Sequence, residues 1–216
     1  MKILYIESKK KLSQEDLKNL ASLDTKSLPK ELFLAYSIQY KAFAEALRNK
    51  LKREGFKIKG FQQVLGCTKL NKDAIKQNIP ILLVGSGRFH AINLALQIKA
   101  PIYIYNGTIT KLDEKEVQKL RQKLKAALNF FLNSKNIGIL VSTKPGQENL
   151  KKAQKLKEKI QKAYPEKQVF IFISNTINLN ELENFQIDFW INTACPGLSF
   201  ETQENIRLAN ADDIPL

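Results

Sequence analysis

The stretch "IGILVSTKPGQENLKKAQKLKEKI", Ile137–Ile160, changes its hydrophobic period halfway along, and that change decides the fold. Ile137 to Val141 form an almost unbroken apolar run, the pattern of a strand covered on both faces and therefore central in a parallel sheet. Ser142 to Gln147 are turn residues around a Pro145-Gly146 pair. Leu150, Ala153, Leu156 and Ile160 then recur at helical spacing, a stripe that continues to Tyr164 before Pro165 stops it. Strand, tight turn and amphipathic helix in succession predict a βα unit.

The same reading extends in both directions. Short, continuous apolar runs at "LFLAY", "ILLVG", "IYIYN", "VFIFIS" and "IDFWIN" predict further buried strands. Between them Tyr40, Phe43, Leu47 and Leu51 share one helical stripe, as do Val117, Leu120, Leu124, Leu128 and Phe131. The fold class is α/β, with two similar units, each a small, mainly parallel sheet flanked by helices. Taking "TITKLDEKEVQ" as a polar connector sets the units at residues 29–110 and 111–216. Residues 1–28 remain as an N-terminal strand, "MKILYIE", and a long, weakly amphipathic connection.

Bulk composition narrows the function. With 216 residues, 44% of them hydrophobic, the chain can bury a real core. It has no apolar run long enough for a membrane span and no signal-peptide pattern, so a cytoplasmic location without membrane attachment is expected. Its two cysteines, Cys67 and Cys195, are too few for a secreted disulfide framework, which leaves a free-thiol or metal role. A formal charge of +14, from 35 Lys+Arg against 21 Asp+Glu, favours an acidic or polyanionic partner. Much of that charge is lysine on the polar faces of predicted helices, however, where a solvated surface suffices.

Four stretches at predicted strand ends could carry chemistry, and ligands of open parallel sheets collect at such ends. In "QQVLGCTK" Gly66 precedes Cys67. In "LLVGSGRFHAINLAL" the glycines, Gly87 among them, lead into a helix that opens with Arg88 and His90, a layout suited to an anion at the helix start. "ILVSTKPGQENL" presents Ser142, Thr143, Lys144 and Gln147 on a turn. "FWINTACPGLSFE" ends a strand on Asn192, Thr193 and Cys195, with Pro196 restricting the backbone and Gly197 loosening it. Individually each has a plain structural reading: a polar βα loop, a hydrogen-bonded histidine, a buried inert thiol.

Jointly they say more. The phrases "QVLGC", "GRFH" with its following "LAL", "VSTKPGQ" and "NTACP", in that order, resemble the archaeal diphthamide biosynthesis family, the 2-(3-amino-3-carboxypropyl)histidine synthases. The resemblance covers nearly the whole chain but only part of the family's usual length. It implies a protein built from three similar α/β domains, each giving one cysteine to a [4Fe-4S] cluster. In that family S-adenosylmethionine occupies the open iron, and one-electron reduction yields a 3-amino-3-carboxypropyl radical that adds to a histidine of translation elongation factor 2, so the resemblance implies the same cofactors and partner here. That transferase reaction is the first step of diphthamide formation.

Carried over residue by residue, the resemblance makes Cys67 and Cys195 two of the three cluster ligands, converging at a shared rim. Gly87, Arg88, His90, Ser142, Thr143, Lys144 and Gln147 become candidates for binding S-adenosylmethionine. It also implies that a separate polypeptide supplies a first domain and the third cysteine, with "MKILYIES" resembling the strand that closes that domain, and that the working form is a homo- or hetero-oligomer. Two positions depart from the family's habit: Gly197 stands where a basic residue is usual, and Ala91 where proline is. The alternatives are a non-catalytic subunit that supports a complete homologue, and a basic RNA- or ribosome-associated α/β protein.

Overall fold

A computed structural model describes residues 8–65, 68–71, 77–85, 87–200 and 206–214. The chain divides into two compact units, Met1–Gln118 and Lys119–Leu216, each built on its own sheet.

In the first unit the strands are β1 (Glu31–Tyr36), β2 (Lys57–Gln63), β3 (Ile81–Val84), β4 (Ile102–Tyr105) and β5 (Ile109–Lys111). They lie in the order β2-β1-β3-β4-β5. The first four run parallel; β5 pairs antiparallel with β4. The continuous apolar sequence of β1 and β3 has the predicted cause, since both are central and covered on two faces. Helix α2 (Lys41–Arg53) lays Phe43, Ala44, Leu47 and Leu51 on one face of the sheet, against Leu32, Leu34, Leu82 and Val84. Fully burying a leucine such as Leu47 stabilises by about 2–3 kcal/mol. Helix α3 (Arg88–Gln97) covers the opposite face with Ala91, Leu94 and Ala95, against Phe33, Ala35, Ile81 and Leu83.

The second unit contains β6 (Asn136–Ser142), β7 (Gln168–Ser174), β8 (Phe189–Asn192) and β9 (Leu208–Asn210), all parallel, in the order β7-β6-β8-β9. Its helices are α4 (Glu114–Asn133), which begins in the first unit, and α5 (Leu150–Ala163). Phe131, Ala153, Leu156 and Ile160 pack on Ile137, Ile139, Phe189 and Ile191. On the other face no long helix intervenes among the described residues. A 3-10 segment, Leu179–Asn184, contributes Leu179 and Leu182 to a core around Leu140 and Trp190. The α4 terminus is closed by Lys167, 4% exposed, whose ammonium donates to the carbonyls of Phe131 (3.1 Å), Leu132 (2.8 Å) and Ser134 (2.6 Å). Those are the carbonyls a helix end leaves without partners, and a cation suits that end of the helix dipole.

Three expectations are corrected. The stretch "TITKLDEKEVQ" is not a plain connector: it forms β5 and opens α4. The connection before residue 29 contains α1 (Gln14–Ser22), held by a capping box in which the Ser13 hydroxyl accepts from Asp16 N (3.0 Å) and the Asp16 carboxylate accepts from Ser13 N (2.9 Å). Strands β2, β5 and β9 escaped the search for apolar runs. The strand expected at "MKILYIE" falls on residues outside those described.

Candidate functional site

Each sheet has a topological switch point, the place where the chain leaves neighbouring strands in opposite directions and a crevice opens beyond their carboxyl ends. In the second unit it lies between β6 and β8. Two of the predicted stretches meet there: "STKPGQ" leaves β6, and "NTACPG" leaves β8.

The "STKPGQ" loop is fixed from within. Pro145 and Gly146, with Gly146 at φ +78°, form a turn closed by Gln147 N donating to Lys144 O (3.0 Å). Proline followed by a positive-φ glycine is the signature of a type II turn. Ser142, 2% exposed, donates its hydroxyl to Asn175 O (3.2 Å) and accepts from Lys144 N (3.1 Å). The Thr143 hydroxyl lies 3.4 Å from Asn175 Oδ1. Ser142 therefore shapes the loop, whereas Lys144 is exposed and Gln147 half-buried.

The cysteine loop is fixed more tightly. Cys195 is a free, partly buried thiol just before the 3-10 turn Pro196–Phe200. Asn192, 2% exposed, spends its amide on the loop: Nδ2 donates to Cys195 O (2.8 Å) and to Asn210 Oδ1 (2.9 Å), and Oδ1 accepts from Ala194 N (2.9 Å). Asn210 Nδ2 donates to Ser199 Oγ (2.8 Å), which donates to Pro196 O (2.9 Å). The residues on both sides of Cys195 are thus clamped to β8 and β9. The Thr193 hydroxyl donates to Leu140 O (2.7 Å), tying the loop to β6 as well.

One residue joins the two loops. Asn149 stands at the α5 N-cap, yet its side chain makes no capping bond. Its Nδ2 donates instead to Thr193 O at 2.8 Å. The first-turn N–H groups of α5 are left for another acceptor at this corner. Asn192 and Thr193 stood out in the sequence as polar residues closing an apolar strand. Nothing marked Asn149 or Asn210, because their roles depend on which loops the topology brings together.

In the first unit the switch point lies between β1 and β3. Ser37 N donates to Val84 O (3.2 Å), and Gly87 precedes α3 with His90 N donating to Gly87 O (3.1 Å). A Cβ at Gly87 would collide with the His90 ring, so a larger residue here would displace the imidazole. Burial holds the His90 imidazole below the usual histidine pKa, so it is neutral near pH 7. Arg88 does not stand free for an anion: its guanidinium makes two bonds to the Glu116 carboxylate, one from Nε at 3.1 Å and a shorter one from Nη2. That pairing raises its pKa further. Gly66 and Cys67 fall outside the described residues.

The donor set fits a soft metal centre in part. Cys195 offers one thiolate on a rigid backbone, and thiolates select iron–sulfur and zinc over hard cations. Among the described residues no three His, Cys, Asp or Glu side chains gather into a metal site. No helix among the described residues is long and apolar enough to cross a membrane.

A family model described as "Putative diphthamide synthesis protein" matches residues 1–205. The 2-(3-amino-3-carboxypropyl)histidine synthase of Methanocaldococcus jannaschii is 27% identical over 187 residues, 84% of this chain and 49% of that protein. Subunit 1 of the corresponding synthase of Yarrowia lipolytica is 31% identical over 147 residues, 64% of this chain and 32% of that protein. The chain spans about half the length, or less, of these relatives. Crystal structures of Dph2 from Pyrococcus horikoshii superpose with a TM-score of 0.74 at 22% identity and, for the form with a 4Fe-4S cluster, 0.73 at 23%. Each superposition covers 92% of this chain and 60% of the other. At such identities the likeness is one of fold.

Proposed function

The chain belongs to the diphthamide synthesis protein family, and on that premise we propose that it forms part of a [4Fe-4S]-dependent transferase. The enzyme would move a 3-amino-3-carboxypropyl group from S-adenosylmethionine to a histidine of translation elongation factor 2. One observation carries the reading: Cys195 is a partly exposed thiol at the carboxyl edge of a parallel sheet, on a loop clamped by Asn192 and Asn210. An inert core cysteine needs no such restraint, whereas a cluster ligand has to be held in place before the metal arrives. The names of the curated relatives and the cluster-bearing form of the Pyrococcus protein support the same assignment.

On this reading Cys67 and Cys195 would hold the cluster together with a third thiolate from a partner polypeptide. When bound, the cluster would supply one-electron reducing chemistry to S-adenosylmethionine. The chain's own groups bind and orient. Lys144, Gln147 and the open N–H groups of α5 receive the cofactor's carboxylate. Thr143 lines the same rim, and Ser142 fixes the loop that presents them. Gly87 and His90 shape the corresponding corner of the first unit. Arg88 acts there through Glu116, or by exchanging that carboxylate for the ligand's.

Anaerobic reconstitution with iron and sulfide, followed by iron counting and EPR, tests the proposal. A polypeptide carrying the third cysteine is added to one sample and omitted from another. Stoichiometric four-iron loading that needs the added polypeptide and is lost in Cys67→Ala and Cys195→Ala is the expected result. A folded chain that takes up no iron under either condition would overturn it and fit a supporting subunit. Salt-sensitive binding to generic RNA without iron uptake would point to the third class of protein.

A further inference from the structure

Along α5, whose first turn borders the candidate site, a cleft of about 420 Å³ runs between the helix and the segment that follows β9. One wall carries Lys151, Lys155 and Lys159, and Lys152 stands beside them. All four are exposed. Lys152 pairs with Asp212 at 2.7 Å; the other three have no carboxylate partner among the described residues. The floor is formed by Leu156, Ala211 and Ile214, each less than one-tenth exposed.

Lysines at these positions follow from the helix period. Residues 151, 155 and 159 are four apart and line one ridge, while Ala153, Leu156 and Ile160 face the core. Like charges at i,i+4 spacing cost helix stability by a few tenths of a kcal/mol per pair, so the ridge is unfavourable to the isolated helix.

We infer that this cleft is a docking site for an acidic, extended peptide segment of a partner protein. The protein's own chain displays the chemistry, because Asp212, in the segment that borders the cleft after β9, places a carboxylate on Lys152, one of the four ammonium groups. From Lys151 to Lys159 the ridge spans about 12 Å, eight helical rises of 1.5 Å. An extended chain covers that distance in about four residues, so a run of alternating or consecutive acids reaches every unpaired lysine. A nucleic acid fits less well: the lining has no aromatic ring for a base to stack on and no arginine fork for a phosphate. The proposal is independent of the transferase reading.

The test uses the full chain and a fluorescein-labelled hexaglutamate peptide, with binding read by anisotropy at two salt concentrations. Saturable binding that weakens with salt is expected, with about a tenfold loss in Lys151→Glu/Lys155→Glu/Lys159→Glu and a smaller loss in the matching glutamine variant. The exposed α4 lysines supply a control: Lys119→Glu/Lys123→Glu/Lys125→Glu makes the same change in net charge and should alter binding less than about threefold. Asp212→Asn frees Lys152 and should tighten binding about twofold. Equal losses in the two triple glutamate variants would reduce the effect to net charge and overturn the site. So would the absence of saturable binding, or tighter binding of a ten-nucleotide oligouridine that is lost through the α5 substitutions.

Discussion

Replacing Asn192 by aspartate is the sharpest single perturbation of the cysteine loop, because it keeps size and shape and removes only donors. The Asn192 amide donates to Cys195 O at 2.8 Å and to Asn210 Oδ1 at 2.9 Å. A carboxylate there would turn an oxygen toward two oxygens at a site 2% exposed. Each lost bond costs about 1 kcal/mol, and leaving Cys195 O without a donor adds roughly 1–3 kcal/mol. Asn210 can rotate its amide to donate to the new carboxylate, which recovers about one bond, so the net is about 2–4 kcal/mol. For a chain of this length that lowers the melting temperature by roughly 4–16 °C. The same change should speed modification of Cys195 by a disulfide reagent, measured with Cys67→Ser as background so that one thiol reports. Acidification discriminates further: a protonated carboxyl regains one donor, so the folded-state pKa of the new group is raised and the deficit narrows as the pH falls toward about 5. Melting within about 1 °C of the parent together with an unchanged thiol rate would refute the clamp.

Three other outcomes follow from the structure. Lys167→Met keeps most of the buried stem but leaves three carbonyls at the α4 terminus without their donor; a loss of about 2–4 kcal/mol in urea unfolding is expected. Gly138→Ala places a methyl group against the Trp190 ring and Ile187, and should destabilise by about 1–3 kcal/mol in the same assay. His90 is the only histidine, so one imidazole resonance titrates in the NMR spectrum, with a midpoint below 6.5 because burial disfavours the cation. The unfolded chain then binds the proton more readily, so stability declines as the pH drops through the unfolded value toward the folded one, and His90→Gln should flatten that decline.

Most strands that the sequence announced have a uniform environment; β7 is the exception, since "VFIFIS" predicts a buried strand but lies at a sheet edge with Phe170 and Ile173 exposed. Strands β1, β3 and β6 are buried from end to end, or nearly so, and their unbroken apolar runs were legible. Strand β2 alternates lysine and glutamine with small and aromatic residues, because it lies at a sheet edge and meets water on one side. β5 and β9 are three residues each, too short for any period to register. At the site, Cys195 and the turn chemistry of "STKPGQ" could be read directly from residue types. Arg88 could not, since its commitment to Glu116 depends on packing 28 positions away. Asn149 is the clearest case: by local rules it is a helix cap, yet the fold offers it Thr193 O and the helix end goes uncapped.

The two sheets share one wiring, since β2-β1-β3-β4 repeats as β7-β6-β8-β9. Strand for strand, the corner that carries Cys195 after β8 answers to the Gly87–His90 corner after β3. Cys67 instead follows β2, whose counterpart β7 runs on to Ser174 and Asn175. In chain order, then, the two cysteines follow non-equivalent strands of the shared wiring, so the repeat of the sheets does not extend to their sulfurs.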